Sequence, residues 1–194
     1  MMSASQGFYQ NVTIIDVQLA SIYYPILIDL AKHKHCLTYG ELVERAKVEC
    51  PDLAIVQNAI AVSTGRRLDV VRMFTEEREL PDLTSLVISK STGECGSVFT
   101  KHFDPVAARD RVFSFDWSTA TLDFDGFVKT TESAVKPRKK VKEPLARERM
   151  SAYFQTNKMN LPKIVRDRRG IIIELIMEGF TDEEAYSLAL RDVI

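Results

Sequence analysis

Two helix starts are spelled out in this chain, and they restrict the folds open to it. In "LTYGEL" Thr38 is followed three residues later by Glu41, and in "FTDEEA" Thr181 is followed by Glu184 at the same spacing. Each threonine oxygen can accept from the backbone N–H three residues on, and each glutamate can accept from the threonine's own N–H. Two donors that every helix start orphans are then satisfied together. Leu37 and Leu42 flank the first box where a hydrophobic staple would set the direction of the helix. Gly40 falls inside its first turn.

The segments around the first box read in sequence. "VTIIDV" (12–17) is either a short strand or a lead into a helix, and "PILIDLAKHKH" is helical, with Pro25 suited to a first turn. The boxed helix runs to about Val48 and stops near Pro51. "DLAIVQNAIAVSTG" predicts a third helix, with Asp52 as N-cap and Gly65 at its end, and "RRLDVVRMF" continues helical until Pro81. "TSLVISK" has strand composition, "STGECG" has turn chemistry, and "SVFTKHF" reads as a second strand. Helices followed by a β-hairpin make an α+β, winged-helix-like pattern. The aromatic stretch 98–128 is expected to wrap back over its core.

This reading gives a winged-helix-like domain over 18–128, a basic linker over 129–149 and a C-terminal helical hairpin over 150–194. Leu161, Ile164, Val165, Ile172, Leu175 and Ile176 form an apolar stripe on the hairpin, Gly179 ends its first helix, and the second capping box opens the next. With 45% hydrophobic and 27% charged residues, the composition is that of a soluble globular protein. The best apolar run, "GIIIELIM", is broken by Glu174 and falls short of the roughly 18 residues of a membrane helix. With no basic-then-apolar leader pattern, a cytoplasmic location is expected. Cys36, Cys50 and Cys95 are odd in number and lack CxxC spacing, so they read as reduced thiols.

Charge is unevenly spread. Residues 1–128 hold 12 Lys+Arg against 17 Asp+Glu, a balance of −5, whereas residues 136–149, "KPRKKVKEPLARER", hold 7 basic and 2 acidic side chains, a balance of +5. An acidic body with a basic strap speaks to partners rather than to fold. Lys136, Arg138, Lys139, Lys140, Lys142, Arg147 and Arg149 can track phosphates without reading sequence. The plainer reading is a solvated linker that its own charges keep extended.

Taken together, "LTYGELVERA", the downstream "STG", the proline and the turn at "TGECG" resemble the winged-helix domain of alkylguanine-DNA alkyltransferases and alkyltransferase-like proteins, over about residues 25–100. The resemblance implies a DNA-facing winged helix. It does not imply the alkyl transfer. Asp82 stands where that family has its nucleophilic cysteine, Leu83 stands where it has the following histidine, and Val62 falls near its base-displacing arginine. Without a thiolate and its base there is no alkyl acceptor. "LTYGEL" with "LPDLTSLVISKSTG" also resembles uncharacterised bacterial or phage proteins, and "IIELIMEGFTDEEAYSLAL" is similar to the first two helices of a ubiquitin-associated-type bundle.

On a winged helix, Arg66, Arg67 and Arg72 would reach phosphates from one helix, and Lys90 and Lys101 from the hairpin. "HKHC" (33–36) gathers potential metal ligands without a zinc spacing, and His102, Asp104 and Asp116 offer a set for a metal-dependent nuclease-like reading. No nucleophile elbow, P-loop or dinucleotide fingerprint is present, so no catalytic residue, metal or cofactor is assigned. The expectation is a non-enzymatic, nucleic-acid-associated accessory or regulatory protein that binds DNA through the winged helix and the strap, with no membrane role. The alternative is a protein-interaction module, an inhibitor or assembly adaptor. It would dock through its acidic domain and use Ile164, Ile172, Leu175, Ile176 and Leu188 of the hairpin to dimerise or hold a partner.

Overall fold

A computed structural model describes residues 11–118 and 123–191, and they divide into two compact units, Met1–Val135 and Lys136–Ile194. The last residues of the expected hairpin, 192–194, lie outside the described ones.

The first unit is built on α1, Ile14–His33. It starts eleven residues before Pro25 because Thr13 and Asp16 form a capping box of their own, with both N–H···O distances 3.0 Å. Pro25 therefore lies inside the helix, where its ring is exposed, and not in a first turn. Leu19, Ala20, Tyr23, Ile26, Leu27 and Leu30 are buried along it. The helix closes on Lys34 in the left-handed region, φ 59°, with the His35 N–H donating to the Leu30 carbonyl. By length and composition α1 could cross a bilayer, unlike the run singled out from the sequence, but more than half of it is buried inside this unit. It is the central core helix.

The box at Thr38 forms as expected, with the Thr38 N–H 2.7 Å from Glu41 Oε2, and opens α2, Tyr39–Glu49. The expected third helix is broken instead. A single turn, α3 (Ala54–Gln57), is held against the end of α2 by the Gln57 amide, which donates to the Lys47 and Cys50 carbonyls at 3.1 and 3.3 Å. Ile60 is extended, a short 3₁₀ turn covers Ala61–Ser63, and α4 runs Thr64–Glu77. Gly65 thus sits near a helix start rather than a helix end, and Leu53, not Asp52, holds the N-cap position of α3.

The expected β-hairpin is absent among the described residues, and with it the winged helix. The fold is nearly all α. Leu83–Leu86 is a 3₁₀ turn, because the Asp82 carboxylate accepts from the Thr84 N–H (2.9 Å) and curls the chain so that Leu83 and Leu86 are both fully buried. Only Val87–Ile88 (β2) is extended. It pairs in parallel with Leu37–Thr38 (β1), in the register Leu37↔Val87 and Thr38↔Ile88. The turn chemistry of "STGECG" is realised: the Ser89 N–H donates to the Glu94 carbonyl, and Gly93 takes φ 68°. The following segment forms a helix, α5 (Ser97–His102), where a second strand is expected; a short apolar run carries no periodicity that tells the two apart. Phe99 is buried from it. Then come α6, Pro105–Ser114, and α7, Phe124–Ala134. The aromatic stretch does return to the core, where Trp117, Phe124 and Phe127 are buried and Phe124 stacks on Tyr24 at 4.0 Å.

The second unit has one helix more than a hairpin. The strap 136–142 leads into α8, Glu143–Asn157, with Pro144 in its first turn. A 3₁₀ turn over Lys163–Arg168 precedes α9 (Arg169–Met177), and the Thr181–Glu184 box opens α10 (Asp182–Leu190). Helix α8 packs against α9 and α10. Ile172, Leu175 and Ile176, expected to face a partner, are consequently the core of this unit, while Ile164 and Leu188 are half-buried.

Candidate functional site

Two basic features lie on the second unit. The first is the strap, which is not a free linker. The Val141 N–H donates to the Met177 carbonyl at 2.8 Å, and the Arg138 guanidinium lies 3.9 Å from the Phe180 ring centroid, a cation–π contact. Gly179 turns with φ 90° directly beneath the Lys139 carbonyl, so closely that a Cβ there would come within 2.6 Å of that oxygen. These contacts display Lys136, Lys139 and Lys142 outward. All three are exposed and none makes an ion pair among the described residues. Lys140 is also exposed and lies 3.8 Å from Glu178. Farther on, Arg147 pairs with Glu143 at 2.6 Å and Arg149 with Asp182 at 2.7 Å, so both have local work.

The second feature is a cleft of about 460 Å³ between α8, the Lys163–Arg168 turn, α9 and α10. Its floor is apolar: Met150, Phe154, Val165, Ile172 and Tyr186. The Tyr186 hydroxyl donates to the Met150 carbonyl at 2.7 Å, and burial pushes its pKa up to about 12, so it stays a neutral donor that ties α10 to α8. The rim is polar, formed by Ser151, Gln155, Arg166 and Arg169, all exposed. Arg166 and Arg169 are three residues apart, a spacing that brings side chains onto one side of a 3₁₀ or α turn. Neither makes an ion pair among the described residues. The sequence reading missed this site. Its visible signal was the basic run 163–169 and the i, i+3 spacing within it.

The arginines chosen on the first unit are placed differently. Arg67 is 2% exposed: its Nε lies 3.3 Å from Asp16 Oδ1, and its Nη1 donates to the Ser63 carbonyl at 2.6 Å. Arg66 pairs with Asp16 Oδ2 at 2.7 Å and donates to the Asn11 carbonyl. Burial alone would raise the Asp16 carboxyl, but the two guanidiniums and the Thr13 N–H outweigh it and hold the group below its ordinary value. Arg72 is engaged with Asp82 (2.9 Å) and Thr84 (2.8 Å) and lies over the Phe99 ring. Guanidiniums engaged by Asp16 and Asp82 are drawn away from phosphates, so these three arginines hold the first unit together. Lys90 and Lys101 are exposed.

Among the described residues no three His, Cys, Asp or Glu side chains gather as a metal site. Asp104 caps α6 through the Val106 and Ala107 N–H groups, and Asp116 accepts from Ser118, so the nuclease-like set is not brought together. Asp82, at the position the resemblance assigns to a nucleophile, caps the 3₁₀ turn. Arg109 holds Glu94 through both carboxylate oxygens, at 2.7 and 3.2 Å, and the Glu94 pKa falls to about 2, chiefly through that hydrogen bond. The adjoining Cys95 thiol is buried and donates to the Ser85 carbonyl, and burial pushes its pKa up to about 11. It is an unreactive thiol in its ground state.

No family model matches this chain, and neither the curated proteins nor the solved structures contain a match. The functional reading therefore rests on the geometry alone.

Proposed function

We propose that this chain is a non-enzymatic, nucleic-acid-associated accessory protein that holds a phosphate backbone through its C-terminal unit. The observation that carries the reading is the row Lys136, Lys139 and Lys142: exposed, without ion pairs among the described residues, and mounted on folded structure by the Val141–Met177 hydrogen bond. Cations held on a scaffold lose less freedom on meeting phosphates than cations on a loose tether. The charge distribution supports it. Residues 136–194 hold 13 Lys+Arg against 9 Asp+Glu, a balance of +4, while residues 1–135 stand at −5. The first unit then acts as an acidic body that stays off the polyanion and is free for another contact. The protein-partner alternative is weaker, because the apolar residues it needs are spent on the core of the second unit.

The test is fluorescence anisotropy of labelled DNA with the full-length chain at several salt concentrations, beside the triple variant Lys136→Glu, Lys139→Glu, Lys142→Glu. Binding should weaken with salt at a log–log slope of about −0.9 per phosphate neutralised on duplex and about −0.7 on a single strand. The triple variant should lose most of that slope while keeping the wild-type thermal melt. Absence of binding at low salt would end the reading.

A further inference from the structure

The strap explains affinity for phosphates and leaves the cleft unused. We infer that the cleft takes an unpaired nucleobase, so that the chain prefers single-stranded nucleic acid to duplex. This rests on the nucleic-acid reading above and adds to it a site, an occupant and a selectivity.

The chemistry of the walls selects the occupant. A volume of about 460 Å³ lies within the roughly 300–1,000 Å³ of small-molecule sites and admits one flat heterocycle. Phe154 is half-buried on the floor, so part of its ring is open for a base to stack on. Ser151 and Gln155 stand on the rim from α8, one residue apart in the chain from Met150 and Phe154 respectively, and supply a hydroxyl and an amide to a base edge. Arg166 and Arg169 complete the rim with two guanidiniums that have no carboxylate partner among the described residues, and they suit the phosphates on either side of a base drawn into the floor. An aliphatic or aromatic side chain of a protein partner would also fill the floor. It would leave the hydroxyl and the amide without a role, whereas a base uses floor, edge donors and flanking cations together.

The occupant is a strand rather than a free nucleotide because a second cationic feature, the strap, lies at the other end of α9. The strap is anchored at Met177, the last residue of α9, and at Glu178 and Phe180 just past it, while Arg169 begins that helix. At about 1.5 Å per residue, the nine residues of α9 separate the two cationic features by roughly 12 Å, farther than one nucleotide reaches. Duplex DNA offers the same phosphates but keeps its base faces stacked against one another, so it meets the strap and not the floor.

The experiment uses full-length protein and three labelled probes of about twelve nucleotides: oligothymidylate, the same strand with abasic sites throughout, and a duplex. The abasic strand presents phosphates without bases. Oligothymidylate should bind about ten-fold tighter than either other probe, the size expected for one base stacked on one aromatic ring. Phe154→Leu keeps the apolar volume and should remove that preference while leaving abasic affinity unchanged. Gln155→Ala, on an exposed side chain, tests the same preference without touching the floor and should reduce it about three-fold, as for one lost hydrogen bond. Arg166→Gln with Arg169→Gln should weaken both single strands. Equal affinity for oligothymidylate and the abasic strand would overturn the base site and leave the phosphate reading standing. Failure of every probe to bind at low salt would instead remove the reading beneath it. Thymidine monophosphate competing as well as the strand would overturn the strand, as would displacement of oligothymidylate by an acidic aliphatic peptide at equal concentration.

Discussion

Asp16 is a buried carboxylate set against two guanidiniums, those of Arg66 and Arg67. It closes the capping box of α1 and is the counter-charge of Arg67, the largest fully buried side chain. Removing one member of a buried pair leaves the other charge without compensation, so Asp16→Ala should lower stability by about 3–5 kcal/mol in urea denaturation. The pH dependence follows from the depressed carboxyl. Its stabilisation is complete above the ordinary value of 3.8 and is lost as pH falls through the lower folded value. The urea midpoint of the wild type should therefore drop on acidification below about pH 4, and that of Asp16→Asn should drop less. Glu94, at about 2, adds to the decline in both proteins from its ordinary 4.5 downward. At the basic end, Cys95 should resist iodoacetamide in the native chain at about pH 8, because its buried thiol carries little thiolate there. Intact mass before and after denaturant counts the thiols that react.

Among the elements, the helix starts announced by reciprocal Thr–Glu capping appear where the sequence places them. Both boxes at Thr38 and Thr181 form, and the turn before Gly93 forms. A third box, Thr13 with Asp16, carries the same T-x-x-D signal in the sequence and sets the start of α1 ahead of Pro25. Strands were a different matter. "TSLVISK" and "SVFTKHF" have strand composition, but an isolated pair of short strands is only marginally stable, and these residues form a 3₁₀ turn, a two-residue strand and a short helix instead. The Gly-Phe turn gives the sharpest test at this scale. Gly179→Ala adds a Cβ against the Lys139 carbonyl at a backbone angle of φ 90°. It should cost about 1–3 kcal/mol, read as a lower thermal midpoint, and should loosen the strap that this turn supports.

For the whole molecule, the division at Val135 has a direct consequence. The first unit owns a continuous core from Val12 to Val135, so residues 1–135 should unfold cooperatively alone, as calorimetry would show. The same fragment, with a balance of −5, should have no measurable affinity for DNA at low salt. By itself the sequence determined what acts within one turn of chain: the capping boxes, the glycine turn and the charge imbalance, because hydrogen bonds over three or four residues and net charge need no distant partner. Tertiary structure alone decided which charges remain available and which apolar stripe is covered. Arg66 and Arg67 look like surface cations until Asp16, fifty residues away from Arg66, is folded against them. The stripe of Ile172, Leu175 and Ile176 looks like an interface until α8 closes over it. The cleft with Arg166 and Arg169 exists only once four separate segments meet. Burial is a property of what lies opposite, and a linear chain does not state what that will be.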